Sequence, residues 1–191
     1  MIGGGSATAA PSVGRIVIVG ASLAGLRAAE ALRAAGFNGR LTLIGDEPYP
    51  PYDRPPLSKA VLLGRVPAAR TGLPQERDIA AEWLLGVPAA GLDLKRREVL
   101  LADGRRVGFD RILITTGTRA RQWPDPVAAT LDGVCTLRTQ DDAARLRARL
   151  AAGPRACTSA LCSLSAGSSL RSVGAANSTS LTTWPTRCRS R

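Results

Sequence analysis

The chain has 191 residues, 45% of them apolar and 21% charged, with a formal charge of +11. That composition suits a folded domain and excludes collagen, a coiled coil and wholesale disorder. No apolar run reaches the roughly 18 residues of a membrane-spanning helix. Histidine is absent, which removes Cys₂His₂ zinc sites and both Ser-His-Asp and Cys-His catalysis. The four cysteines, Cys135, Cys157, Cys162 and Cys188, form no C-x-x-C pair, so reduced thiols are expected rather than a metal site. The cations are mostly arginine and are not interleaved with aromatics, which make up 4% of the chain, so a nucleic-acid partner is not expected. Residues 1–13 read as a flexible leader with no basic segment and no long apolar core. A cytoplasmic chain is the expectation, with neither signal peptide nor membrane contact.

In chain order, Arg15–Val19 (RIVIV) is a short β-branched run without polar alternation, as a strand buried on both faces requires. The turn GASLAG (Gly20–Gly25) follows, then Leu26–Ala35 as a helix with Gly36 placed to end it. Leu41–Ile44 is a second buried strand, closing at Gly45-Asp46-Glu47. Seven of the thirteen prolines fall in residues 48–77, which predicts an ordered excursion rather than a strand or long helix. Asp78–Leu85 reads as a short helix. Glu98–Ala102 and Arg105–Phe109 flank Asp103-Gly104, a hairpin signal. Arg111–Ile114 is another buried strand, ending in Thr115-Thr116-Gly117. Thr139–Ala152 reads as a helix with Thr139 as N-cap, Asp141 and Asp142 in its first turn, and Gly153-Pro154 after it.

The chemistry gathers at the first turn. Gly20-Ala-Ser22-Leu-Ala24-Gly25 is a G-x-G-x-x-G pattern with serine in the middle place. Gly20 permits the tight exit from the strand, position 22 lets backbone approach a pyrophosphate, and Gly25 lets the helix pack closely on the sheet. The anion then sits on the helix N-terminus, where free N–H groups and the helix dipole favour negative charge. Asp46 follows Gly25 by 21 residues, near the offset of an acid that accepts from an adenosine ribose. Turn, strands, helix and acid together make a βαβ dinucleotide-binding unit.

Three runs carry a more specific signal: RIVIVGASLAGLRAAEALRAAGFNGRLTLIGDEPYPPYDRPPLSKAVLLG, LADGRRVGFDRILITTGTRAR and LRTQDDAARLR. On them, and on PYDRPPLSK (Pro51–Lys59) above all, the chain resembles the FAD-dependent NAD(P)H:ferredoxin reductases of Rieske-type dioxygenases and haem monooxygenases. These are a branch of the pyridine nucleotide-disulfide oxidoreductase superfamily, and the resemblance spans roughly residues 14–155. It implies an α/β fold, a partial Rossmann-like FAD-binding domain over 14–155. FAD would be the cofactor, NAD(P)H the electron donor and a 2Fe–2S ferredoxin the acceptor. By the same resemblance Gly20, Ser22, Ala24 and Gly25 hold the FAD pyrophosphate and Asp46 the ribose, with Glu47 only its neighbour. Arg54 would lie near the phosphates and Lys59 beside the flavin ring. The backbone of Ala89 would meet the adenine, Thr116 and Gly117 would close over the FAD, and Arg138 would lie next to the flavin. Lys59 and Arg138 would then favour an anionic reduced flavin. No cysteine precedes Cys135, so the dithiol chemistry of related disulfide reductases is not expected.

After Arg155 the composition changes. Residues 156–191 carry 14 Ser or Thr and no Asp or Glu, and show no helical or strand period. The resemblance implies an apolar strand and a second glycine turn for NAD(P)H at this point, and neither is visible. A disordered tail from a frameshifted or truncated reading is the expectation, with weak FAD binding, an aggregation-prone sheet edge and little turnover of NAD(P)H.

Overall fold

A computed structural model describes residues 13–121, 125–131 and 134–152. Strand β1 (Arg15–Val19) runs through the middle of a parallel sheet, and its β-branched side chains are buried on both faces. Ile16 and Ile18 point to one side, where they meet Leu26 and Ala29 of helix α1 (Leu23–Ala34). Val17 and Val19 point to the other, against Val99 and Leu101 of a second sheet and Phe109 just after it. The strand's alternation therefore feeds two cores, and the molecule is layered helix, parallel sheet, antiparallel sheet.

The parallel sheet also contains β2 (Arg40–Gly45), β3 (Glu82–Leu85) and β7 (Arg111–Ile114), in the order β3-β2-β1-β7. Residue Ile16 is opposite Leu41 on one side and Arg111 on the other. The covering layer is β4 (Ala89–Asp93), β5 (Glu98–Leu101) and β6 (Arg106–Gly108), all antiparallel. Its β5–β6 hairpin turns at Asp103-Gly104 as expected: Gly104 has φ +86° and Asp103 Oδ1 accepts from the Arg105 N–H. This is the α/β, Rossmann-like arrangement expected from the sequence.

Three expectations about elements need correction. Strand β7 is not buried: it is the edge of the sheet, and Leu113 and Ile114 are exposed because no strand of the sheet lies beyond it among the described residues. Helix α1 starts at Leu23, not Leu26, with Ser22 extended as its N-cap, so Gly25 lies inside the first helical turn. The stretch 78–85 is not a helix but leads into β3, which pairs with β2 from Thr42↔Glu82 to Gly45↔Leu85. Ala80 has φ +42°, which no right-handed helix accommodates. Its N–H is taken by Asp78 Oδ1, and Arg33 holds the carbonyls of Ile79 and Ala80. The open edge of β2 then recruits the chain as a strand.

The proline-rich segment is ordered, with single 3₁₀ turns at Pro55–Ser58 and Ala68–Thr71 and a bridge between Tyr52 and Gly72. Tyr52, Leu57 and Val61 are buried against Ala143 of helix α3 (Gln140–Ala151); a single-turn helix α2 (Pro126–Ala129) precedes it. Thr139 caps α3 as its sequence indicates: its side chain accepts from the Asp142 N–H while Asp142 accepts from the Thr139 N–H. Among the described residues no helix is long and apolar enough to cross a membrane. The expectations for the leader 1–12 and for the tail 156–191, Cys157, Cys162 and Cys188 included, lie outside the described residues.

Candidate functional site

All four parallel strands deliver their carboxyl ends to one rim of the sheet. Gly20 follows β1, Asp46 follows β2, Gly86 follows β3 and Thr115 follows β7. The connection from β1 runs to β2 on one side, while β7 joins β1 from the other. The carboxyl end of β1 is therefore the point where the strand order reverses, the position at which open α/β sheets bind ligands. Backbone bonds knit the rim: the Gly20 N–H donates to the Ile44 carbonyl (2.8 Å), the Thr115 N–H to Val19 (2.7 Å) and the Val87 N–H to Gly45 (3.1 Å).

The glycine turn is built around contacts that a side chain would abolish. Gly20 has φ +121°, and a Cβ there would run into the Thr115 backbone carbonyl. A Cβ on Gly25 would run into the Gly20 carbonyl oxygen. Thr115 is the buttress, its hydroxyl donating to the carbonyls of Gly20 (2.9 Å) and Val19 (3.2 Å). Sequence reasoning passed over it for Thr116 and Gly117; the one signal was a hydroxyl residue directly after a buried strand. Ser22 makes no side-chain capping bond to α1. The first-turn N–H groups, at Leu23, Ala24 and Gly25, have no intrahelical partner and face the rim. Groups of this kind can accept an anion.

At the end of β2 the two neighbouring acids have separate fates. Asp46 is exposed and has no hydrogen bond or ion pair among the described residues. Glu47 is fully engaged, pairing with Arg54 Nη2 at 2.6 Å and accepting from the Tyr52 hydroxyl. The carboxylate left over for a ligand is Asp46. Ala89, half-buried, opens β4 opposite Leu101, just beyond the Val87 bond to Gly45. Turn, acid and β4 entrance therefore share the rim.

The second group lies where the proline-rich segment meets α3. A cleft of about 290 Å³ is lined by Arg54, Pro55, Leu57, Ser58, Leu137 and Arg138. Arg138 Nε is buried there without a hydrogen-bond partner. A buried guanidinium donor left unpaired is costly, so a polar acceptor placed against this atom would be stabilising. Arg138 also links the groups, because its guanidinium lies 3.7 Å from where a Gly117 side chain would begin. Thr116 and Gly117 are exposed, Gly117 with φ +68°. Lys59 is exposed at the end of the Pro55–Ser58 turn and pairs with no acid among the described residues. Arg54 is committed inside the protein: besides Glu47 it binds the Tyr52 hydroxyl (3.1 Å) and the Arg138 carbonyl (2.8 Å), and it stacks 5.0 Å over the Tyr52 ring. Burial first, and the hydrogen bond to Glu47 second, hold the Tyr52 phenol far above its usual range.

An open helix N-terminus, a carboxylate without an internal partner at the end of the next strand and a buried unpaired guanidinium donor are groups that a phosphate-bridged dinucleotide could use. No group of metal-ligating side chains exists among the described residues. The sequence pattern of the family described as pyridine nucleotide-disulphide oxidoreductase matches residues 14–174. The chain belongs to this family. The match continues past residue 155, where the recognisable motifs end.

Among curated members, the ferredoxin reductase component of chlorobenzene dioxygenase from Cupriavidus sp. strain PS12 is 43% identical over 129 residues. That alignment covers 66% of this chain and 31% of the relative. The ferredoxin–NAD(+) reductase subunit of the benzene 1,2-dioxygenase system of Pseudomonas putida is 42% identical over 134 residues, covering 69% of this chain and 32% of the subunit. Putidaredoxin reductase in its covalent complex with putidaredoxin superimposes with a TM-score of 0.64 at 35% identity, over 71% of this chain and 34% of that one. The chain thus spans about a third of the length of the family members it matches.

Proposed function

We propose that residues 14–152 form the FAD-binding part of an NAD(P)H:ferredoxin reductase, whose whole activity is to carry electrons from NAD(P)H to a 2Fe–2S ferredoxin. The observation that carries this reading is the gathering of the Gly20–Gly25 turn, the unpartnered Asp46 and the orphaned Arg138 Nε around one end of the sheet. The relatives support the activity and the partner, since they are ferredoxin reductases and one is recorded bound to its ferredoxin.

The flavin, when bound, supplies the conversion of a two-electron hydride donor into two one-electron transfers. Everything else is binding and electrostatics from this chain. The N–H groups at the start of α1 would take the pyrophosphate, with Gly20 and Gly25 keeping the path clear of side chains. Asp46 would accept from the ribose hydroxyls, and the Ala89 backbone at the start of β4 would border the adenine. Arg138 Nε would donate to an acceptor on the flavin side, and Thr116-Gly117 would flank it. Lys59, exposed and next in sequence to the cleft-lining Ser58, would oppose negative charge on that side. A cytoplasmic setting accords with a nicotinamide donor and with the free thiol of Cys135.

The test is a titration of the purified 191-residue chain with FAD, followed by flavin absorbance, and separately with ADP, followed by calorimetry, with an NADH–ferricyanide assay on the FAD-loaded chain. Saturable binding of both nucleotides is expected. A chain that binds neither would overturn the reading.

A further inference from the structure

Glu47, Tyr52 and Arg54 join two remote parts of the chain through the ordered proline-rich segment. Glu47 stands at the rim, one residue after Asp46. From it the Tyr52 hydroxyl and Arg54 Nη2 lead to Arg54 Nη1, which donates to the Arg138 carbonyl at 2.8 Å across 84 residues of sequence. The same Tyr52 hydroxyl accepts from the Gln140 N–H at 3.3 Å in the first turn of α3. Arg138 is gripped from its other side too, because its N–H donates to Asp142 Oδ2 at 2.9 Å. Both backbone polar groups of Arg138 are thus fixed by charged partners, while its side-chain Nε is buried and unpaired. Tyr52 is 4% exposed and Arg54 is largely covered, so the network sits in a low-dielectric setting where hydrogen bonds hold geometry well.

We propose that Glu47, Tyr52 and Arg54 are positioning residues: a strut that fixes Arg138 so that its Nε meets an acceptor on the flavin end of the cofactor. Arg54 then works as a strut member, three of its five N–H donors serving Glu47, Tyr52 and the Arg138 carbonyl. The strut acts on one end of the ligand only. The Gly20–Gly25 turn and Asp46, which would hold the ADP portion, share no hydrogen bond with it. The inference rests on the FAD reading given above.

The experiment compares affinities for FAD and for ADP, which lacks the flavin and the ribityl chain, in the full chain and in Tyr52→Phe, Glu47→Gln and Arg54→Lys variants. Tyr52→Phe keeps the buried ring and removes only the hydroxyl. Arg54→Lys keeps the charge but cannot span Glu47, Tyr52 and the Arg138 carbonyl together. Loss of a positioning hydrogen bond should weaken FAD about three- to tenfold in each variant while ADP affinity stays within about twofold. The Tyr52→Phe/Glu47→Gln double variant should be less than additive, because both act through one strut. A general structural role would lower both affinities in parallel, and that result overturns the proposal, as does unchanged FAD affinity. A parent chain that binds ADP but not FAD would also refute it while leaving the nucleotide turn intact. A parent that binds neither would instead remove the functional reading beneath it.

Discussion

Replacing Gly25 by alanine sets two known effects against each other. Helix propensity alone favours the change, since alanine in a helix is better than glycine by up to about 1 kcal/mol. The turn geometry opposes it. The new Cβ would fall far inside van der Waals contact of the Gly20 carbonyl oxygen, with Gly20 carbonyl carbon at 3.2 Å and Thr115 Oγ1 at 3.3 Å behind it. The obstructing atom is backbone, so no rotamer change relieves the overlap. Gly20 must move, and its carbonyl is the acceptor of the 2.9 Å Thr115 hydroxyl bond. Overpacking of this kind costs about 1–3 kcal/mol, and the weakened hydrogen bond adds about 0.5–1.5 kcal/mol. After the propensity gain the net loss is about 1–3 kcal/mol, or a fall in Tm of about 3–10 °C for a domain of this size. Thermal unfolding followed by far-ultraviolet circular dichroism measures it, with an FAD titration on the same samples expected to show weaker binding. Gly36→Ala is the control: Gly36 has φ +85° but open space around it. That variant should lose stability from backbone strain alone, about 1–2 kcal/mol, with FAD affinity unchanged. A Gly25→Ala chain that melts at or above the parent temperature would refute the close-approach argument.

Asp46→Ala should weaken FAD and ADP alike by about ten- to hundredfold, the loss of a charge-assisted acceptor; an unchanged titration would move the ribose role to another acid. Thr139→Ala removes the capping hydroxyl of α3 and should cost about 1 kcal/mol in denaturant unfolding; no shift in midpoint would deny the box its part. The backbone N–H groups of Arg15 and Gly14 hold the Asp110 carboxyl below its usual range. At Asp142 burial pushes upward, but the N–H groups of Thr139 and Arg138 outweigh it and the net shift is also downward. Both carboxylates therefore give stability that is present above an ordinary aspartate value of about 3.9 and lost as pH falls through their lower folded values. Acid unfolding should begin below about pH 4, and Asp110→Asn should flatten that slope. The raised Tyr52 phenol has the opposite sense: its contribution is intact below about pH 10 and is lost above it, so Tyr52→Phe should reduce the loss of stability at high pH.

What the sequence determined alone is whatever short-range physics writes into consecutive residues. The β-branched run Ile16–Val19 has no polar side, which suits a strand buried on both faces, and the central place of β1 supplies that burial. The Asp103-Gly104 turn and the Thr139/Asp142 box each satisfy their own backbone groups within a few residues, and they and the Gly20–Gly25 turn formed where their patterns stand. The separation of Asp46 from Gly25 is equally local, because one helix and one strand have fixed lengths.

Tertiary structure decided the rest. Residues 78–85 have no periodicity strong enough to overrule the open edge of β2, and a single left-handed residue at Ala80 turned them into strand β3. Nothing in the dipeptide Asp46-Glu47 says which acid stays free. Glu47 became the structural one because Tyr52 and Arg54 fold back onto it, leaving Asp46 facing the rim. Thr115 acquired its role only because β7 pairs with β1, which brings its hydroxyl to the Gly20 carbonyl 95 residues away. Arg54, read from a motif as a contact near the phosphates, also holds three internal partners, one of them 84 residues away in sequence. A charged side chain goes to the partners that the fold brings within reach, and sequence spacing does not record those distances.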